Sequence, residues 1–280
     1  MTNENVDQYE FWEELAPDWI ASDGHTEIVS APFGDSAMDR LSLRSGLNVL
    51  DVGCGSGSTT VELARRVGID GRATGVDIAP AMIAQAMKRA DVAHIGNVSF
   101  LAADAQAEPF QTATFDAIYS RFGVMFFANP KVAFTNLRRA LRPDGVLAFA
   151  CWENIFLNEW MFVPGSAVVS VTGSLPPMPG PGEPGPFSLA DRTVIESLLR
   201  DSGFKSVEVT SQAETLTLRG EEIESLVTLT RRVGPVREAL RTANAETAAL
   251  ISTAVRSAIL EKAIDGVVKL NSAAFIVSAR

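Results

Sequence analysis

The 280-residue chain carries only two cysteines and two histidines. Ligands so few and so scattered leave no disulfide framework and no spacing that could hold a metal. Basic runs are missing as well: 24 Lys and Arg stand against 34 Asp and Glu, for a formal charge of −10. A nucleic acid would have to be held against that field, so the expected partner is a small-molecule substrate and no nucleic acid. The opening "MTNENVDQYEFWEELAPDW" has neither the basic nor the apolar region of a signal peptide. The longest apolar stretch, residues 155–171, is interrupted by Asn158, Glu159 and Pro164 and is expected to span no membrane. Together these absences read as a cytoplasmic protein, a monomer or homodimer, whose length suits one large domain with insertions.

What the sequence does have is concentrated in "VLDVGCGSGSTT", residues 49–60. Val49, Leu50 and Val52 read as a strand covered on both faces. Gly53, Gly55 and Gly57 then give a turn that a ligand can approach closely. Thr59 with Glu62 has the spacing of a capping box, and Val61, Leu63, Ala64 and Val67 supply an apolar helical face before Gly68. A strand, glycine loop and helix in this order form a common nucleotide-binding unit. A phosphate-binding P-loop would close on Lys followed by Ser or Thr, which is absent. A dinucleotide fingerprint would place its third glycine at position 58, where Ser58 stands. The remaining pattern, Asp-x-Gly-x-Gly-x-Gly from Asp51 to Gly57, puts an acid at the strand end, which suits a cationic ligand better than an anionic one.

The rest of the first half alternates strand and helix. "GRATGVDIA" runs into Asp77, and Pro80 opens a helix reaching about Ala93; "NVSFLAADA" ends at Asp104, and "FDAIYSRF" is a fourth strand. Asn129 and Pro130 start another helix, which Pro143-Asp144-Gly145 ends before "VLAFACW". That rhythm predicts a parallel sheet with ligands at the carboxyl ends of its strands. Past Trp152 it breaks. Residues 176–186 are a Pro- and Gly-rich loop, a helix follows near Leu189 to Asp201 and a strand at "KSVEVT", residues 221–264 read as helices, and "AAFIVSA" closes the chain.

These segments, "VLDVGCGSG", "GVDIAPAM", "AADAQAEPF" and "NLRRALRPDGVLAFA", resemble in order and spacing the motifs of class I S-adenosylmethionine (SAM) dependent methyltransferases. The resemblance covers about residues 47–151, and "LLRDSGFKSVEV" with the closing strand extends it. It is nearest to small-molecule enzymes of the ubiquinone and menaquinone C-methyltransferase group. It implies an α/β fold over residues 1–280: a seven-stranded, mostly parallel Rossmann-like sheet of order 3-2-1-4-5-7-6, last strand antiparallel, with helices on both faces and helical cap insertions. In that sheet order Cys54 and Cys151 stand two strand spacings apart, about 9 to 10 Å and too far for a disulfide.

The resemblance also implies SAM as cofactor, S-adenosylhomocysteine (SAH) as product, and a site. Asp51, Gly53 and Gly55, in one loop with Cys54 and Gly57, would face the methionine end. Asp77, 24 residues after Gly53, would hold the ribose; Ile78 and Met82 would pack near the adenine, and Asp104 and Ala105 would bond it. Ser120 and Arg121 would lie beside the sulfonium. A lid region over residues 1–30 would bring Trp12 and Trp19 over the cofactor, although a plain packing helix broken at Pro17 explains them equally well. Ordinary helix-sheet packing does the same for Ile78 and Met82.

Segments 152–187 and 221–264 are expected caps over the acceptor, with Trp152, Phe156, Trp160 and Phe162 as lid contacts; the competing reading is packing or dimer surface. The density of apolar side chains points to a mobile lid and a hydrophobic or aromatic acceptor. His25, His94, Glu153 and Arg121 are the polar candidates for a base, none distinguished, so the catalytic group is unassigned. The missing Asn/Asp-Pro-Pro-Tyr after the fourth strand argues against methylation of nucleobase amines. Two other classes fit less well: a SAM-binding cyclase or sensor of the same fold, and a nicotinamide oxidoreductase.

Overall fold

The computed structural model describes residues 5–174, 179–180 and 182–280. Two helices, α1 (Val6–Ala21) and α2 (Asp23–Asp39), precede the alternating unit. β1 (Asn48–Val52), α3 (Ser58–Val67), β2 (Arg72–Asp77), α4 (Pro80–Val92), β3 (Val98–Ala102), β4 (Phe115–Arg121), α5 (Pro130–Ala140) and β5 (Leu141–Trp152) then follow in the expected rhythm. β1 to β5 pair in parallel. Short apolar strands joined by helical crossovers give this result because both sheet faces have to be covered.

A 3₁₀ turn at Ile155–Leu157 leads to α6 (Glu159–Thr172), and α7 (Arg192–Asp201) leads to β6 (Val207–Arg219). Then come α8 (Glu221–Arg232), α9 (Gly234–Thr242), α10 (Ala245–Leu260), β7 (Ala263–Ile264) and β8 (Val267–Ala279). β8 lies between β5 and β6, antiparallel to both, for the order β3-β2-β1-β4-β5-β8-β6. This is the expected path with one addition: the two-residue β7 pairs with β8 and makes the sheet eight-stranded.

Several boundaries differ from the sequence reading. The 1–30 segment is not a unit, since α2 continues to Asp39 and its Val29, Phe33, Ala37 and Met38 are core. Gly34 lets α2 lie flat against β4: a Cβ there would stand 2.4 Å from Arg121 Cδ and 2.9 Å from the Tyr119 hydroxyl, which donates to Gly34 O. Pro17 does not break α1; the helix runs through it and forgoes one backbone bond. No capping box forms, because the Thr59 hydroxyl is drawn to Asp51 and Glu62 pairs with Arg66. α7 starts at Arg192, where the Asp191 side chain accepts from Thr193 N. α5 ends at Ala140, before Pro143-Asp144-Gly145, which lies in an irregular start of β5. β6 and β8 pair along 13 residues each, well beyond the expected strands. Of the Pro- and Gly-rich loop, residues 179–180 and 182–186 are neither helix nor strand, and residues 175–178 and 181 lie outside the described residues.

Both insertions leave from strand ends on one side of the sheet, and α6 packs against α10. Asn158 holds the root of the first one. Its Nδ2 donates to Glu153 O, Asn154 O and Ala273 O, and its Oδ1 accepts from Ser272 Oγ and Ala273 N; all of these but the bond to Asn154 are buried. Glu159 extends the tie to Lys262 and to Asn271 N. The root of a freely mobile lid would not be stitched to the central strand in this way; residues 158–172 are docked.

Candidate active-site cleft

β1 stops at Val52, and the chain turns on Gly53 with φ +67. A Cβ at Gly53 would sit 2.8 Å from Gly123 Cα, and one at Gly123 would sit 2.9 Å from Gly53 Cα. Two glycines back to back therefore let the ends of β1 and β4 close on each other. Gly55 instead fronts open space toward Trp19 Nε1, 3.9 Å from where its Cβ would be. Asp77, at the end of β2, holds this turn: its Oδ2 accepts from Gly55 N at 2.8 Å and its Oδ1 from Ala79 N at 3.0 Å. Burial raises its pKa against those two donations.

One cleft runs over these strand ends. Its wall includes Gly53, Gly55, Asp77, Ile78, Met82, Asp104, Ala105 and Arg121 from the sheet side, and Trp12 and Trp19 from α1. Trp152 and Trp160 line it from the cap side. α1 is fastened across the opening at two points. Glu13 accepts from Ala81 N in the first turn of α4, and Arg237 of α9 reaches Glu14 and Asp18.

Other expected site residues do not line the cleft, each for a local reason. Asp51 is fully buried behind the loop, where its Oδ2 accepts from both Thr59 and Thr60 at 2.7 Å. Burial outweighs those bonds and pushes its pKa up to about 6. The Cys54 thiol is turned under the loop against Gly75, whose added Cβ would meet Sγ at 2.8 Å, and burial raises its pKa well above the ordinary thiol value. Gly57 faces Ala86, where a Cβ would collide at 2.7 Å, so it serves the packing of α4. Ser120 stitches β4 to β1 by donating to Val52 O at 2.7 Å. Phe156 and Phe162, expected as lid contacts, pack on each other at 5.3 Å on the outer surface, and Phe156 is 68% exposed.

Among the polar candidates, only Arg121 lines the cleft. It forms a two-pronged ion pair with Glu27, at 2.7 Å for each bond, and donates to Ser58 Oγ. Burial pushes the Glu27 carboxyl up, and the bonds and charge of Arg121 overcome this to hold it below its ordinary value. Glu27 carries no sequence signal, because its role depends on how α2 crosses β4. His25 lies on α2 away from the wall, and His94 is an exposed turn residue at φ +53 beyond α4. Glu153 is buried, with Oε1 unpaired among the described residues, but does not border the cleft.

Phe122 was also not legible as a site residue. It lines the cleft at φ +63, a conformation a bulky side chain rarely adopts, and its ring stacks on Trp152 at 3.8 Å. Trp160 stands 5.4 Å from Trp152, and Phe33 meets both Trp152 and Phe122 edge to face. The cleft thus has a polar end at β2 and β3 and an aromatic end beside β5 and α6.

Asp104 supplies the test of fit for a nucleoside. Its Oδ1 accepts from Gln106 N, while its Oδ2 is buried with no partner among the described residues. A buried carboxylate oxygen without a donor is costly, and the exocyclic amine of an adenine would supply one. Asp51 Oδ1 is likewise buried and unpaired, near the end where a cationic amino acid group would lie. Asp77 retains lone pairs for ribose hydroxyls after accepting its two backbone bonds.

A doubly wound sheet with an acid-bearing glycine loop and paired strand-end carboxylates defines a nucleoside-cofactor enzyme of the Rossmann-like class. Residues 49–145 match the family model described as a methyltransferase domain. The chain is 32% identical to an O-methyltransferase of Aspergillus nomiae, over 68% of its own length and 76% of that protein's. It is 37% identical to a ubiquinone/menaquinone biosynthesis C-methyltransferase of Idiomarina loihiensis, over 44% of this chain and 50% of that one. In structure it is similar to a [4+2]-cyclase with a TM-score of 0.54 and 20% identity, covering 88% of this chain and 80% of that one. The chain belongs to the SAM-dependent methyltransferases. SAM is its methyl donor. Among the described residues no helix is long and apolar enough to cross a membrane.

Proposed function

We propose that the protein transfers the SAM methyl group to a hydrophobic, aromatic or enolic small molecule bound at the aromatic end of the cleft. The observation that carries this reading is that the carboxylates lining the cleft, Asp77 and Asp104, stand at the ends of β2 and β3, while beside β5 and α6 its wall is aromatic, with Trp152, Trp160 and Phe122. Asp104 would accept from the adenine amine and Asp77 from the ribose, with Ile78 and Met82 against the base. Arg121 keeps donors beyond those used by Glu27 and Ser58, enough for the methionine carboxylate. Asp51 would favour the ammonium through its field, one layer behind the loop.

SAM supplies an electrophilic methyl when bound, so the chain's own task is to align the acceptor and exclude water. Phe122, Trp152, Trp160 and Met161 make that end apolar. Neither a histidine nor a carboxylate is among the described residues that line it. The acceptor that suits such a wall is already acidic, a phenol or an enolised dicarbonyl, and loses its proton without help from a side chain.

The test is transfer of labelled methyl from SAM to a panel of apolar phenols, enolised 1,3-dicarbonyls, amines and peptides. Turnover confined to phenols or enols, rising with the fraction ionised, supports the proposal; turnover confined to amines or peptides overturns it.

A further inference from the structure

Among the described residues, Trp160 carries the one buried indole N-H without an acceptor. It is 5% exposed and lines the cleft, and its Nε1 is buried without an acceptor among the described residues. A buried donor left unpaired costs as much as a lost hydrogen bond, and phenylalanine or leucine would fill the same space without that cost. The buried Glu153 Oε1 is unpaired too, so the two groups do not satisfy each other, and Glu153 is not part of the wall. Around Trp160 the wall is apolar: Trp152 at 5.4 Å with Phe122 stacked behind it, and Met161 alongside. One polar handle on an otherwise apolar surface fixes orientation and rejects ligands that cannot use it.

We infer that Trp160 is a specificity-determining residue whose indole N-H donates to a carbonyl or phenolate oxygen of the acceptor. This rests on the methyltransferase reading above and narrows its substrate class to flat molecules bearing an oxygen beside the ring system. A hydrogen bond to an oxygen conjugated with the nucleophile holds the ring in register and stabilises its anion in a dry site. The sulfonium-methyl bond then breaks as the new methyl bond forms, sulfur keeps the electron pair as SAH, and the acceptor's proton has already gone to solvent.

The experiment uses the full chain loaded with SAH and two probes of nearly equal shape, 1-tetralone and tetralin, which differ in one carbonyl. Calorimetry on wild type and Trp160→Phe should find tetralone binding weakened roughly three- to tenfold by the substitution, with tetralin and SAH unchanged. In wild-type protein carrying ¹⁵N-tryptophan, one of the four indole N-H signals should move downfield with tetralone and stay in place with tetralin. Equal loss for both probes, no loss for either, no binding of either, or an unmoved set of indole signals would each overturn the role of Trp160. The indole signals keep the test valid if Trp160→Phe does not fold. Failure of wild type to bind SAH would instead overturn the methyltransferase reading itself, which separates the two.

Discussion

The polar and the aromatic ends of the cleft are built by opposite means. Along β1 to β4 the contacts are short bonds between side chains and backbone: Asp77 to Gly55 N and Ala79 N, Asp104 to Gln106 N, Ser120 to Val52 O. At the cap, aromatic rings lie against one another and the few polar ties, led by Asn158, stand at the root. The first construction fixes positions and leaves Asp104 Oδ2 without a partner among the described residues, which on the proposed reading serves a ligand that is always the same. The second fixes a volume and one donor, which suits a ligand that differs from one enzyme to the next. The family model matches residues 49–145, which carry β1 to β4 and the glycine loop.

The largest expected effect of breaking the polar end comes from Asp77→Ala. It removes the proposed ribose contact together with the anchor of Gly55, so SAH affinity should fall by about 3 kcal/mol, on the order of a hundredfold. Calorimetry checks the loss, and circular dichroism checks that the protein is still folded. An unchanged affinity would reduce Asp77 to a structural cap.

Asn158→Ala tests the other end. Glu153 O, the Ser272 hydroxyl and Ala273 N lose the Asn158 side chain as a partner, while Asn154 O and Ala273 O keep backbone donors, so stability should drop by about 1 to 3 kcal/mol in urea unfolding. In the folded variant at low temperature, SAH affinity should stay within about twofold while the acceptor KM rises. A matched loss at both ends would show that the two constructions are not separable.

Asp51 offers a pH test of the polar end. Its pKa in the folded protein is about 6 against an ordinary 3.8, so Asp51 binds a proton as pH falls through 6 and the charge that would favour the ammonium disappears. SAH affinity should therefore be flat above pH 7 and fall roughly tenfold toward pH 5, and Asp51→Asn should flatten that slope. Burial raises Asp77 as well, so the difference between wild type and Asp51→Asn is the quantity to read. Folding stability runs the other way. A raised acid pKa means the native state holds more protons, so this contribution grows as pH falls from above 6 toward 4.

The smallest effect is expected from Phe156→Ala. The ring is 68% exposed and touches Phe162 outside the cleft, so methyl transfer should be unchanged and stability should move by less than about 0.5 kcal/mol. A large loss of turnover would return Phe156 to the acceptor site.

The same division explains what could be read from residues alone. The glycine loop and the strand-end acids were legible because each depends on local backbone chemistry at fixed spacing, whereas the strand order, set by pairing between distant segments, came only from the family resemblance. Asp51, Cys54, Gly57 and Ser120 show the limit of that reading: a motif residue can support a site from behind its wall. In "ENIFLNEWMF" three aromatics are equivalent by composition, and only the burial of Asn158 against Ala273 sends Trp160 inward and leaves Phe156 outside. Glu27 and Gly123 were invisible for a similar reason, since each acts on a segment distant in sequence, Arg121 in one case and Gly53 in the other. The docked α6 replaces the mobile lid, so excising residues 152–187 would open the core at Trp152 and Val168, and point substitutions are the sounder probe.

The central claim, that the polar end receives the adenosine of SAM with Asp104 Oδ2 on its amine, has a direct test. Calorimetry would compare SAH with S-inosylhomocysteine, in which an oxo group replaces the amine. The account predicts micromolar SAH and an inosine analogue at least about thirtyfold weaker, because a buried carboxylate oxygen would face an acceptor in place of a donor. Equal affinity for the two would contradict it.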